Sequence, residues 1–159
     1  MPVKVLKKEG CPDWVINHSI AVYKKAMEIS KNFEDADIDL IKEASLLHDI
    51  GRSKTNTICH GIIGAKLAIE NGFSKDVGRI IERHVGAGIT EEEAVELGLP
   101  KKSYLPATIE EKIVSHSDNL INGSEEVDID FVINKWEKRI PNSDEAIARL
   151  KKTHKELLH

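Results

Sequence analysis

Apolar residues recur at three- and four-residue intervals along most of this chain, and that spacing predicts helix after helix. Val15, Val22, Ala26, Ile29 and Phe33 form one stripe on a helix over residues 13–33, with Pro12 and Asp13 as its start signals. After a polar break at 35–39, Ile41, Ala44, Leu47 and His48 mark a second helix that ends near Gly51, followed by a loop over 52–57. His60 opens a third, with Ile63, Leu67 and Ala68 inward and Asn71-Gly72 as its stop. Ser74 caps a fourth that runs through Val77, Ile80 and Ile81 to His84. Residues 86–106 read as a connection carrying one short helix, TEEEAVELG, with a capping-box start and a terminal glycine. A helix over 108–121 turns Ile109, Ile113, Val114, Ser117 and Ile121 inward, and two charged-faced helices at 128–140 and 143–158 are separated by Pro141 and Asn142. No period-two alternation, repeat or low-complexity segment interrupts the pattern. The expected class is all-α: one domain over 1–159, a compact helical bundle with its core at about 13–122 and the C-terminal helices packed on it.

Polar residues break the apolar stripes at a few positions, and they are all potential metal ligands. His18, His60, His84 and Asp118 lie on or at the start of inner helix faces, and His48 and Asp49 end the run ASLL. Taken singly, each histidine reads as a hydrogen-bonded core residue. Taken together, six unpaired polar groups on five helices give a bundle nothing unless something in the core offsets them. A metal site accounts for all six. Imidazole and carboxylate without sulfur suit Mn, Fe, Co, Ni or Mg, with zinc as an adventitious occupant.

Composition narrows the setting. A chain of 159 residues is long enough to bury a core without staples, and Cys11 and Cys59 match neither a disulfide framework nor a CxxC zinc pattern, so two free thiols and a cytoplasmic location are expected. The net charge of -4 argues against a general nucleic-acid surface, so nucleic acid is not an expected partner, although a local basic cluster can still hold a phosphate. No apolar run approaches the ~20 residues that span a bilayer, and MPVKVLKKEG lacks the apolar core of a signal peptide, so no membrane partner is expected. A homo-oligomer is left open.

The ligand order H, HD, H, H, D resembles the HD-domain superfamily of metal-dependent phosphohydrolases over residues 13–122. HGIIGAKLA at 60–68, ERH at 82–84 and EEKIVSHSDNLI at 110–121 resemble the branch with two extra histidines, which includes the symmetric diadenosine tetraphosphate hydrolases and, more distantly, cyclic dinucleotide phosphodiesterases. HVGAGI and YLPATIEEKIV resemble a group of small archaeal HD proteins without assigned function. The resemblance implies that His18, His48, Asp49 and Asp118 hold a first divalent metal, and that Asp49 bridges to a second held by His60 and His84. It implies hydrolysis, by metal-activated water, of a phosphoester or phosphoanhydride bond in a small phosphorylated substrate, a nucleotide or dinucleotide.

Asp49 is then central to catalysis, and Arg52 and Lys54, in HDIGRSK, are the candidates for phosphate contact. Mononuclear HD nucleotidases carry a catalytic glutamate where this chain has Arg52, so the departure favours the two-metal branch. Gly86 and Gly88 with Thr90 offer backbone amides to a phosphate, but glycines there serve equally as a helix stop. His116 is placed as a neighbour of the site, His154 and His159 at the surface, and Trp136 in the core. Two other readings share the ligands: a mixed-valent di-iron oxygenase of the same superfamily, and a regulatory module that grips a nucleotide without turnover, for which the amphipathic segment DFVINKWEKRI would supply a partner surface if it does not face the core.

Overall fold

The computed structural model describes residues 1–158, so His159 lies outside the described residues. In chain order its helices are α1 (Pro2–Lys8), α2 (Asp13–Ser30), α3 (Ile38–Leu47), α4 (His60–Glu70), α5 (Lys75–Glu82), α6 (Glu91–Glu96), α7 (Ile109–Asn119), α8 (Ile129–Arg139) and α9 (Asp144–Leu157). A 3₁₀ turn, Ile50–Ser53, follows α3, and a two-stranded ribbon, β1 (Ile121–Asn122) with β2 (Glu125–Glu126), follows α7. The class is all-α.

The expected start signals are realised as hydrogen bonds. Asp37, Ser74, Thr108 and Asp128 each accept from the backbone three residues on, and Thr90 with Glu93 closes the capping box of α6. Three expectations are corrected. Helix α2 ends at Ser30, because Asn32 and Phe33 donate to Ile29 and Ser30 in a turn that tucks Phe33 against the core. The seven-residue α1 was not foreseen; it is too short to show a period and is held by burial of Val5 and Leu6. Helix α7 stops at Asn119, and Ile121 enters the ribbon, which reverses through Gly123 at φ +67°, the first central position of a type II′ turn.

The main core packs α2 against α3 and α7, and α4 against α5 and the 3₁₀ turn, around Val15, Ile41, Leu47, Ile80, Ile81 and Ile113. Helices α8 and α9 close a second apolar cluster, Leu120, Val132, Trp136, Ile147 and Leu150. Both cysteines are free, Cys11 buried and Cys59 half-buried. Among the described residues no helix is long and apolar enough to cross a membrane.

Candidate metal centre

Each of the four histidines is aimed by a backbone carbonyl. The Nδ1 atoms of His48, His60 and His84 lie 2.7, 2.9 and 2.6 Å from the carbonyls of Ser45, Thr57 and Ile81, each three residues back, and His18 Nδ1 lies 2.6 Å from Gly123 O. A carbonyl only accepts, so each Nδ1 donates its proton and each Nε2 is left with a lone pair directed inward. The ribbon therefore has a local purpose: its turn orients His18. Lys25, buried on α2, anchors the ribbon by donating to Glu126.

Asp49 stands between the rings. His18 Nε2 and His48 Nε2 are 3.6 and 3.5 Å from its Oδ2, while His60 Nε2 and His84 Nε2 are each 3.4 Å from its Oδ1. Asp118 Oδ1 completes the first side, 2.8 Å from His18 Nε2 and 3.2 Å from His48 Nε2. All six expected ligands thus converge. Two sets, His18 with His48 and Asp118, and His48 with Asp49 and His84, hold their ligand atoms within 4.8 Å of one another.

Close packing made this possible at one backbone position. A Cβ on Gly51 would lie 1.9 Å from the His60 carbonyl oxygen, so only glycine lets the turn after Asp49 abut the start of α4. Gly64, one turn along α4, faces Gly51 N and Ile81 in the same way.

The donor set fits a cation. The Nε2 atoms of His18 and His48 are 3.3 Å apart, and those of His60 and His84 are 3.2 Å apart. With Nδ1 already protonated, these are lone pairs facing lone pairs unless a proton or a metal lies between them. The electrostatics agree. Burial disfavours charge on His48, yet the Asp49 and Asp118 carboxylates outweigh it and push the imidazole up to about 9. Burial acts against the charge of Asp49 and Asp118 too, but the histidines hold both well below the usual carboxylate range. His60 goes the other way: burial, then His84, push it down to about 4 against the pull of Asp49.

The cluster is closed behind and open in front. His48, His60 and His84 are buried, whereas His18, Asp49 and Asp118 line a cleft of about 350 Å³. Arg52 forms part of its wall, with Nε 3.4 Å from Asp49 Oδ1 and its guanidinium 5.9 Å from the Trp14 ring centre. Lys54 does not reach the cleft; its Nζ is 3.8 Å from Glu9 Oε1. In the Gly86–Gly88 loop the amides of Gly88 and Thr90 are already used, Gly88 N donating to Val85 O and Thr90 N to Glu93 Oε1, while Ser115 and Asn119 donate to Gly86 O and Arg149 to the carbonyls of Ala87 and Gly88. His116 is buried against α9, its Nε2 2.9 Å from Nδ1 of His154, which is half-buried and not a surface residue as expected. Burial and its neighbours His154 and Lys25 push His116 down to about 3.

The HD domain family model matches residues 15–123, the stretch that carries all six expected ligands. The chain belongs to the HD domain family. A Methanocaldococcus jannaschii protein described only as uncharacterized is 49% identical over 147 residues, covering 90% of this chain and 87% of that one. A tRNA (cytidine(56)-2'-O)-methyltransferase of Picrophilus torridus is 45% identical over 96% of this HD chain, which spans only 44% of that enzyme's length. Among solved structures, the HD domain of the L. monocytogenes phosphodiesterase PgpH in complex with cyclic-di-AMP superposes with a TM-score of 0.60 at 16% identity, over 96% of this chain and 92% of that one, which establishes the shared fold.

The outer cleft wall was not foreseen. Trp14, Asn122, Phe131 and Lys135 line it beside the buried Trp136. Phe131, Lys135 and Trp136 lie on α8, beyond the HD match. Trp14 and Phe131 are 54% and 43% exposed. Neither the exposure of these aromatics nor the cleft they share is written in the sequence; both follow from how α2 and α8 pack in the fold.

Proposed function

We propose that this HD chain is a divalent-metal-dependent phosphohydrolase acting on a small phosphorylated metabolite, a nucleotide or dinucleotide. The observation that carries the reading is the placement of Asp49, one oxygen toward His18 and His48 and the other toward His60 and His84. An imidazole offers one lone pair to one cation, but a carboxylate so placed serves two. His18, His48 and Asp118 would hold one metal, His60 and His84 a second, with Asp49 shared. When bound, such cations supply Lewis acidity toward phosphoryl oxygens and lower the pKa of water.

The remaining work falls to the chain. His18 and Asp118 front the cleft, so a phosphoryl group meets the cluster there. Arg52 lies beside Asp49, its Nε 3.4 Å from Oδ1, and the terminal N–H groups of its guanidinium would donate to phosphoryl oxygens from the cleft wall. No serine, threonine or cysteine is among the residues lining the cleft, which supports water as the nucleophile. Lys54, paired with Glu9, has no part in this scheme. Cyclic-di-AMP in the related PgpH structure, and the sequence shared with a tRNA methyltransferase, favour a substrate of nucleotide type.

The test is a panel of nucleoside mono-, di- and polyphosphates, dinucleotides and sugar phosphates, incubated anaerobically with Mn, Fe, Co, Ni or Mg. Hydrolytic product without dioxygen is expected. Turnover that requires dioxygen would move the chain to the oxygenase branch, and saturable binding with no product under any metal would make it a binding module.

A further inference from the structure

Beside the cleft lies a second groove of about 370 Å³, walled by Asn122, Phe131, Asn134, Lys135, Lys138 and Arg139. Asn122, Phe131 and Lys135 line both, so the two form one continuous depression. No carboxylate is among the residues lining the groove, in a chain whose net charge is -4. Lys135 Nζ donates to Asn122 Oδ1 at 3.3 Å, and Lys138 and Arg139 stand exposed at the end of α8. Cations in a last helical turn suit the helix dipole, which accounts for their sign. It does not account for a groove that opens onto the metal cluster with an exposed aromatic at the junction.

That combination is the one by which single strands are held: bases stack on aromatic faces while cations follow the phosphates. Lys135 and the pair Lys138 and Arg139 are about one helical turn apart, ~5.4 Å, so positive charge recurs along α8 on the scale of successive phosphates. A polyphosphate would use the cations but not Phe131. We propose that this groove is a second phosphate subsite, which holds the neighbouring phosphate of a short single-stranded oligonucleotide whose terminal nucleotide lies in the cleft. The assignment of that terminal nucleotide rests on the phosphohydrolase reading; the groove's own affinity does not.

The test is equilibrium binding to the metal-loaded protein of a fluorescein-labelled RNA tetranucleotide with a phosphorothioate backbone, its integrity checked by chromatography. AMP, unlabelled tetranucleotide and inorganic tripolyphosphate serve as competitors. The tetranucleotide should bind roughly tenfold or more tightly than AMP. Lys138→Gln with Arg139→Gln should remove that advantage, leave AMP affinity unchanged and lower the slope of log Kd against log salt by about 0.7, the value for one phosphate of a single strand. These exposed substitutions should leave the circular dichroism unchanged. Equal tetranucleotide affinity in variant and wild type would overturn the subsite, and tripolyphosphate competing as well as the tetranucleotide would overturn the strand. Failure of the phosphohydrolase reading is distinguishable, since it would show as an unmodified RNA probe left intact with every metal while the binding difference persisted.

Discussion

At the scale of single residues, the centre is a contest over protons. In the metal-free protein His48 is held above its ordinary 6.5, up to about 9, so its protonated form adds stability that is full below about pH 6.5 and lost as pH rises through about 9. His60 is pushed down to about 4, so it takes up a proton more readily unfolded than folded, and its burial costs stability as pH falls from about 6.5 toward 4. From these two, metal-free protein should be most stable near pH 6.5, which urea titrations across pH 4 to 9 will check. A metal must displace the His48 proton, so titrating Mn or Fe(II) into that protein at pH 7.5 should release protons, measured by calorimetry in buffers of different ionisation enthalpy. Asp49 is the residue on which everything else leans. Asp49→Asn removes the shared charge and should lower kcat by at least roughly a hundredfold. Arg52→Ala should leave the metal content intact and lower kcat/KM, because Arg52 touches the cleft through its guanidinium and Asp49 only at 3.4 Å. Unchanged kcat/KM in that variant would remove Arg52 from the phosphate contact.

At the scale of elements, the site depends on a close approach between the turn after α3 and the start of α4. Gly51→Ala places a methyl within 1.9 Å of the His60 carbonyl oxygen, so the turn and α4 must separate and carry Asp49 away from His60 and His84. A loss of about 3 kcal/mol, read as a fall in Tm of roughly 6–12 °C, should accompany loss of metal. The six groups that converge at the centre were legible as a set in the sequence because they fall on or at the ends of apolar stripes of helical period. The place of Arg52 in the cleft wall was legible because it closely follows His48 and Asp49. The ribbon that orients His18 was not read, although Asn122-Gly123-Ser124 is a hairpin signal, because its strands are two residues long and show no alternation. The α8 wall escaped for a different reason: helical periodicity says that Phe131 and Lys135 share a face, but only tertiary packing says what that face looks onto. Lys54 misled because adjacency in sequence to the ligands is not adjacency in space once a 3₁₀ turn intervenes.

For the whole molecule, α2, α4, α7 and the turns that follow α3 and α5 bring the six groups to one point, so metal and fold should be coupled. Loading should raise stability by about 4 kcal/mol when free metal is a thousandfold above its Kd, and chelation should reverse it, as thermal melts will show. On the proposed function, Asp49 joins two metal sites, one served by His18, His48 and Asp118 and the other by His60 and His84. Elemental analysis of wild type and of the double variant His60→Ala with His84→Ala, each loaded anaerobically and freed of excess metal, tests it most directly. Two equivalents are expected in the wild type and one in the folded variant, with hydrolysis reduced by orders of magnitude. One equivalent in both proteins, with turnover preserved, would contradict it.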